Sequence, residues 1–376
     1  MFCKVKQHPS VLICILFVWL SKKMAELTIK RQFLRLKNMN HFARYILFCL
    51  FSFCACLVFA QAQLQSSMYW AVPTQYNPAM AGCDSAINLI VSHRLQWTGL
   101  NSAPQRTFIA GDSPYQFGKK RVGFGVSLLQ DKTKYFESTL TSGQVSYSIN
   151  LWGGRLALGA QLGGVRLKFN GSKIKNLDEG FAANNDSIQN PDYEILPDSL
   201  PRNDVSGSSF DVGLGVYYER KIHNTEFYGG VSLLHLNEAA LSANTTGQNG
   251  YAKEVFHLPN TIYFVVGCNI NLNNALCIIQ PSIFIKSNQK VKEADFTLRA
   301  TFKNRFWGGV SYRTSDAIVL MAGATIKSFR LYYSYDIGIG GVAKTAKGSH
   351  EIMASYSFKM ELEKKKKHPH KSIRLL

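Results

Sequence analysis

From residue 86 to 360 the chain alternates apolar and polar side chains at every second position. Side chains of a β-strand point in turn to opposite faces, whereas the apolar face of a helix repeats every three to four residues. The second face of these runs carries mostly Gly, Ser, Thr, Gln and charged residues. The pattern therefore predicts an all-β chain. The clearest runs span residues 122–128, 156–163, 210–218, 296–302, 329–337 and 352–358.

The composition favours a membrane barrel over the other architectures that such a pattern allows. A mean hydropathy of −0.07 is too polar for a bundle of membrane helices. No stretch after residue 62 reaches the ~18 apolar residues that a spanning helix needs. A barrel turns its apolar face to lipid and its polar face to a wet lumen. A soluble sandwich also alternates, but its outward face usually carries more charge than is present here.

We predict a single antiparallel outer-membrane β-barrel of about fourteen strands, with roughly 12–16 as the range that boundary errors allow. An even number places both chain termini in the periplasm, as in bacterial barrels. The predicted strands are residues 86–98, 104–112, 121–130, 137–149, 155–169, 207–221, 225–235, 260–270, 275–286, 293–302, 305–313, 316–326, 328–337 and 349–359.

The lengths of the connections support this count. Connections after even-numbered strands are mostly tight, such as residues 151–154 and 303–304. Connections after odd-numbered strands include the long ones, at 170–206, 236–259 and 338–348. Membrane barrels have short periplasmic turns and longer outer loops, so the alternation also predicts which end faces the periplasm.

Residues 39–62 have the layout of a secretory signal peptide. The basic residues His41 and Arg44 precede an apolar stretch over 45–59 and the small-x-small sequence Ala-Gln-Ala at 60–62. We expect cleavage there, with the mature chain beginning directly afterwards. The alternative is a membrane anchor, for which the apolar stretch is short.

The residues before this signal peptide form a doubtful N-terminal extension, 1–38. It contains a second apolar run followed by a basic stretch, and either Met1 or Met39 can be the true start. We favour Met39, because the secretory layout is complete from that residue. A lipoprotein cleaved at Cys56 is a further alternative, although Phe-Cys-Ala before it is a poor lipobox.

The rest of the chain divides into three parts. These are an N-terminal periplasmic or luminal segment at 63–85, the barrel at 86–360 and a basic periplasmic tail at 361–376. The formal net charge is +19, but much of the excess lies in the leader and the tail, so we expect no nucleic-acid partner. The tail is interpreted either as a solubilising segment or as a docking site for an acidic partner or the membrane surface.

Residues able to bind metals are sparse and scattered in the barrel region. After the leader the chain keeps only Cys83, Cys268 and Cys277, of which the last two lie on candidate adjacent strands and could pair. The acidic loop at 171–206 lacks the spacing of a calcium-binding EF-hand. We therefore expect no metal and no cofactor.

Catalytic motifs are also missing from the sequence. The five histidines of the barrel region stand neither in HExxH spacing nor beside a G-x-S-x-G nucleophile. Gly-x-Gly occurs at 123–125, 213–215 and 338–340, but none of these opens a helix, which disfavours a dinucleotide loop. We predict that these glycines relieve crowding in the lumen, and that the protein is not an enzyme.

Two short motifs are more specific than the periodicity. Residues 73–82 read PTQYNPAMAG, and residues 93–99 read HRLQWTG, followed by Ala103-Pro104. They resemble the opening of the type IX secretion system membrane protein family, PorP/SprF, with its YNPAxAG segment and R-x-QW-x-G strand. Further matches follow in family order, as VGFGV at 122–126 with Asp131, YYSYD at 332–336 and GSHE at 348–351.

The resemblance implies a non-enzymatic outer-membrane barrel that serves a secretion and gliding machine. Its implied partners are secreted cargo, often a large surface adhesin recognised through a C-terminal sorting domain, periplasmic components of the apparatus, and outer-membrane lipid. The fold alone leaves two other functions open. One is a porin or solute transporter, and the other is a barrel lipid hydrolase.

The two motifs also supply the candidate site. Asn77-Pro78 favours a turn, and the segment precedes the first strand, so it would lie in the periplasmic mouth or fold into the lumen. We hypothesise that it plugs the lumen or contacts a partner, and a simple brace on the barrel is the alternative. The candidate residues are Tyr76, Asn77, Pro78, Ala79, Gly82, Arg94, Gln96 and Trp97.

Overall fold

The computed structural model describes most of the chain between residues 64 and 359. The described residues are 64, 66–100, 103–117, 120–173, 203–238, 240–244, 252–272, 276–288, 291–314 and 316–359. The predicted extension, signal peptide and basic tail lie outside these ranges, as does most of the acidic loop at 171–206. Among the described helices, none has the length and apolar character needed to cross a membrane.

Sixteen strands are present in the described ranges. They are β1 Ala86–Leu95, β2 Gln105–Phe117, β3 Lys120–Lys132, β4 Phe136–Leu151, β5 Gly154–Phe169, β6 Val205–Ile222, β7 Thr225–Leu234, β8 Ala240–Asn244, β9 Ala252–His257, β10 Thr261–Leu272, β11 Cys277–Ser287, β12 Lys292–Phe302, β13 Phe306–Arg313, β14 Ala317–Ile326, β15 Phe329–Gly338 and β16 Ser349–Lys359.

Fourteen of these strands form one closed antiparallel barrel, which confirms the predicted fold class and strand number. Each strand pairs with its neighbours in sequence, and β1 closes the barrel against β16 from Ala86–Lys359 to Leu95–His350. The sequence did not predict β8 and β9, which form a separate two-stranded sheet inside the expected loop at 236–259. Strand β7 therefore pairs directly with β10.

The two faces of the barrel have opposite character. Outward positions carry exposed apolar side chains, among them Val126, Leu162 and Phe210, each more than 65% exposed. Inward positions carry buried polar groups such as Ser146 and Asp211. Because a large continuous apolar surface is unstable in water, this outer face fits a lipid environment.

The connections define two ends of the barrel, which we call the short-turn end and the long-loop end. At the short-turn end, β4 and β5 are joined by Trp152-Gly153 alone, both with positive φ (50° and 71°). Two successive positive φ angles are the mark of a tight hairpin whose twist matches the flanking strands. The connections after β1, β5, β7 and β15 lie at the opposite, long-loop end.

The segment before β1 lies inside the barrel and is called the plug, residues 66–83. It contains two 3₁₀ turns, Tyr69–Ala71 and Pro78–Met80, on either side of a one-turn helix, α1 Pro73–Tyr76. Met68 and Val72 are fully buried in the core that the plug forms with inward side chains. Burial of each such side chain contributes about 1.5–3 kcal/mol.

Candidate functional site

The plug runs the length of the lumen. Near its start, Ser66 Oγ donates to Glu351 Oε1 (2.5 Å), which lies close to the long-loop end of β16. Near its end, the carbonyl of Cys83 accepts from Arg121 Nη2 (2.7 Å) and from Arg155, both at the short-turn end. The plug thus runs from the long-loop end to the short-turn end of the lumen, where β1 begins.

The Asn-Pro-Ala turn of the plug rests on a floor of strand glycines. A Cβ at Gly159 of β5 would overlap the backbone of Ala79, and a Cβ at Gly215 of β6 would overlap the Asn77 side chain. A Cβ at Gly123 of β3 would overlap the carbonyl of Ala81. Only glycine permits so close a backbone approach. A Cβ at Gly230 of β7 would lie 2.9 Å from Asn77 Nδ2. We call Gly123, Gly159, Gly215 and Gly230 the glycine seat.

Asn77 fixes the turn on this seat with both ends of its amide. Its Oδ1 accepts from Ala79 N (2.9 Å), which caps the 3₁₀ turn that Pro78 begins. Its Nδ2 donates to the carbonyl of Val216 on β6 (3.0 Å). A side chain that caps the turn and bonds the wall explains why asparagine suits this position.

The last residues of the motif bind the wall through backbone groups. Ser146 Oγ donates to the carbonyl of Ala81 (2.7 Å), and Gly82 N donates to Asp112 Oδ2 (2.9 Å). Gly82 has φ +59°, and a Cβ there would come within 2.6 Å of the Cα of Gly123. Conformation and space therefore both require glycine at residue 82.

The part of the plug nearest the long-loop end is held by a buried ionic cluster. We call it the anchor cluster, and its members are Ser66, Ser67, Arg94, Arg313, Asp336 and Glu351. Ser67 Oγ donates to the Asp336 carboxylate (2.7 Å) and accepts from Arg94 Nη1 (2.7 Å) and Arg313 Nη2 (3.1 Å). One donor and two acceptor sites are all that a hydroxyl has, so Ser67 is saturated.

The two guanidinium groups of the anchor cluster are paired with buried carboxylates. Asp336 Oδ2 lies 2.7 Å from Arg94 Nη2 and 3.0 Å from Arg313 Nη1. Arg313 Nε also lies 3.1 Å from carboxylate oxygens of Glu293 and Asp295. Burial of an unpaired charge costs several kcal/mol, so these groups stabilise the barrel only as a complete set.

Tyr76 joins the two halves of the plug. Its hydroxyl accepts from Ser66 N (2.9 Å), while its ring packs edge-on to Phe284 with 4.9 Å between centroids and lies 5.2 Å from the ring of Tyr263. Burial raises the pKa of the Tyr76 phenol to about 12. The side chain is therefore a neutral brace rather than a proton carrier at physiological pH.

The second motif contributes to the plug site through one residue. Arg94 joins the anchor cluster, whereas Gln96 and Trp97 lie in the connection between β1 and β2. Trp97 adopts a left-handed backbone (φ 56°), and its N–H donates to Ser349 Oγ (3.0 Å). Gln96 N donates to the carbonyl of Pro104 (2.8 Å). At the long-loop end, Trp97 therefore binds the start of β16, and Gln96 binds the residue that precedes β2.

Sequence reasoning missed several residues of this site. Asp336 and Glu351 ended the YYSYD and GSHE motifs, but nothing assigned them a role. Ser67 and Arg313 carried no sequence signal at all. The Gly-x-Gly sequences at 123–125 and 213–215 were attributed to crowding in the lumen, and the structure identifies the plug as what crowds Gly123 and Gly215.

Beneath the plug lies a cavity of about 580 Å³, which we call the chamber. Plug residues Tyr69, Trp70 and Tyr76 form one side of it, and the barrel wall forms the other. Arg330 and Asp84, which also line it, are exposed, so the chamber opens at the short-turn end.

The other candidate groups are isolated. Cys268 and Cys277 are free, because the register places Cys277 opposite Leu272 rather than opposite Cys268. The disulfide that the sequence allowed therefore does not form. Within the described ranges, no three His, Cys, Asp or Glu side chains are grouped as metal ligands. His235 Nδ1 lies 2.8 Å from Asp211 Oδ1 inside the lumen.

Comparison with known proteins decides the family. The family model described as type IX secretion system membrane protein PorP/SprF matches residues 58–356. The chain belongs to this family. The match confirms the resemblance carried by YNPAMAG and R-x-Q-W-x-G, and this member of the PorP/SprF family is a membrane β-barrel. No curated protein matches the chain.

Solved structures share the barrel architecture only loosely with this PorP/SprF protein. It is similar to the Ralstonia pickettii toluene transporter TbuX, with 11% identity, 77% of this chain and 93% of that one covered, and a TM-score of 0.42. It is also similar to the β domain of the Bordetella autotransporter BrkA, with 14% identity, 74% and 100% coverage and a TM-score of 0.35.

Proposed function

We propose that this protein is an outer-membrane component of a type IX secretion and gliding system that docks secreted cargo instead of conducting solutes. The observation that carries the proposal is the plug, which is fixed at both ends inside a barrel of the PorP/SprF family. A lumen filled by the chain itself suits a docking surface better than a diffusion pore.

In this proposal the short-turn end and both termini of the barrel domain face the periplasm, following the usual orientation of membrane barrels. The long-loop end would receive the C-terminal sorting domain of a surface adhesin. The short-turn end would meet periplasmic components of the secretion apparatus. No covalent chemistry is required of the barrel, and we therefore propose a non-enzymatic role.

The direct test is capture in the native membrane. Cells that express a tagged barrel are crosslinked, and the proteins recovered with it are identified. We expect a surface protein with a C-terminal sorting domain, together with periplasmic secretion components. Recovery of neither class, with the barrel folded and abundant, would overturn the proposal. Strong reconstituted conductance would favour the porin, and lipid hydrolysis would favour the hydrolase.

A second experiment separates a functional plug from a simple brace. The variants Tyr76→Phe and Asn77→Ala remove the bonds to Ser66 N and to Val216 O, respectively. Reduced cargo display with normal barrel assembly would support a functional plug. Unchanged display with normal assembly would leave the segment as a structural brace. Ser209→Ala, which alters a half-buried hydroxyl that donates to the carbonyl of its neighbour Phe210, serves as the control.

A further inference from the structure

We propose that the outer wall of the barrel carries a binding site for a phosphorylated glycolipid of the lipid A type. The inference rests on the proposed orientation, in which the long-loop end reaches the outer leaflet of an outer membrane. It arises from two neighbouring features of this wall. One is an open apolar groove, and the other is a group of exposed cations beyond it, toward the long-loop end.

The groove is a depression of about 630 Å³ in the outward face of β1–β5. The strand register aligns Leu89, Gly111, Val126, Gly143 and Leu162 in one row across these five strands. A Cβ at Gly143 would meet only the carbonyl of Leu162 within 4 Å, at 3.9 Å. The two glycines thus leave space between larger apolar side chains, and this space suits the acyl chains of a lipid.

The groove leads without obstruction to the cations of β5. Toward the long-loop end, Gly164 stands in the row after Leu162, and Arg166 and Lys168 stand in the two rows after that. A Cβ at Gly164 would meet no atom within 4 Å. Because an extended strand rises about 3.3 Å per residue, Arg166 lies about 13 Å from Leu162 along the strand. A lipid whose chains lie in the groove would therefore bring its head group to these cations.

Cations outnumber carboxylates where β3–β6 leave the apolar band. Outside the lumen, the described charged residues at this end of the four strands are Lys132, Lys134, Arg166, Lys168, Lys173, Glu137 and Asp204, with a net charge of +3.

The two carboxylates of this group already have partners. Glu137 is paired with Lys132 (3.5 Å), and Asp204 accepts from Ser172 Oγ (2.8 Å). Arg166 forms neither an ion pair nor a hydrogen bond with a described residue, and Lys168 has only a longer-range attraction to Asp204. Both side chains are exposed, so they are accessible to an anionic head group.

The shape and the neighbours of the site define the lipid. Guanidinium and ammonium groups bind phosphate through charge-assisted hydrogen bonds. Thr139 and Ser208 flank Arg166 on the adjacent strands, where their hydroxyls can bond those of a sugar. Five strands about 4.8 Å apart give the groove a width of about 20 Å, which leaves room for several acyl chains. A phosphorylated sugar that carries several chains combines these features.

The test uses the full mature barrel purified in mild detergent, and native mass spectrometry counts the lipids bound to it. The probes are lipid A, the same lipid without its phosphates, and dioleoyl phosphatidylglycerol. We expect one lipid A per barrel, bound at least fivefold tighter than either other probe. Equal binding of lipid A and its dephosphorylated form would overturn the proposal. Phosphatidylglycerol bound as tightly as lipid A would overturn the choice of a glycolipid.

Charge variants assign the head group. Arg166→Gln combined with Lys168→Gln should weaken the binding of lipid A about tenfold, because it removes both free cations. Lys292→Gln combined with Lys344→Gln is the control, since it removes two exposed charges at the same end of the barrel but away from the groove. Equal losses in the two double variants, or unchanged binding in the first, would overturn the proposal.

Groove variants assign the acyl chains independently. Gly143→Leu fills the groove with an outward side chain and should weaken the binding of lipid A severalfold. Gly308→Leu is the control on β13, where a Cβ also has space, with its nearest contact at 3.6 Å. Equal affinities of these two variants for lipid A would overturn the groove as the site. Cargo plays no part in these measurements, so a negative result leaves the docking of cargo to its own capture test.

Discussion

Gly159 of β5 lies directly against Ala79 of the plug, so closely that a Cβ at Gly159 would overlap the Ala79 backbone. The barrel wall and the plug are therefore complementary in shape at this contact. Strand glycines and the Asn-Pro-Ala turn form one unit, although 80 residues separate Gly159 from Ala79 in sequence.

The first prediction concerns the seat itself. Gly159→Ala should displace the plug, because the added methyl group meets backbone that cannot rotate away, and such overpacking costs about 1–3 kcal/mol. Gly164→Ala on the same strand is the matched control, since a Cβ there meets nothing within 4 Å. Proteinase K digestion of the folded barrel should cut the plug in the first variant alone. Equal resistance of the two variants to proteinase K would contradict the close packing of Gly159 against the plug.

The second prediction concerns Ser67. Ser67→Ala removes one donor to Asp336 and the acceptor shared by Arg94 and Arg313. Buried groups left unsatisfied should lower the free energy of unfolding by about 1–3 kcal/mol. The shift is measured as a lower midpoint in thermal or guanidinium unfolding. Ser209→Ala should leave the midpoint unchanged. A similar shift in both variants would show that the bonds of Ser67 in the anchor cluster do not stabilise the protein.

The third prediction concerns Cys83, whose Sγ donates to the carbonyl of Ala79 (3.1 Å). Burial raises the pKa of this thiol from 9.0 to about 12. A raised pKa keeps the thiol protonated, and only the thiolate reacts, so alkylation at pH 8 should be roughly a thousandfold slower than for a free thiol. The rate is measured with a maleimide after Cys268 and Cys277 are replaced by Ser.

Two outcomes would test the cause of this protection. The Gly159→Ala variant in the same background should react much faster, because it loosens the plug around Cys83. Fast reaction in the parent protein would show that burial does not protect the Cys83 thiol.

The barrel could be predicted from the sequence because the pattern that marks a strand lies within the strand itself. Period-two alternation reports on each strand separately, and all fourteen barrel strands lie where it placed them. The predicted strand boundaries differ from the observed ones by a few residues, as in β2, which continues to Phe117 and not only to residue 112. The hairpin of β8 and β9 was missed because a loop of this length gave no alternation long enough to recognise.

The site was less predictable because its partners are distant in sequence. Arg94 and Asp336 are 242 residues apart, and each of them, taken alone, looks like an ordinary polar residue at an inward position of a strand. The strand glycines likewise reveal their role only when the plug is in place. Family resemblance identified Tyr76 to Gly82 as candidates, but Ser67 and Arg313 belong to no short motif.

The account rests on a lumen that the chain itself fills, and conductance in a planar lipid bilayer tests this most directly. The purified wild-type barrel should show no steady open-channel conductance, whereas Gly159→Ala should show channels that open as the plug loosens. The Gly164→Ala control should remain closed. A steady open conductance of the wild-type protein, equal to that of Gly159→Ala, would contradict the plugged barrel and favour the porin.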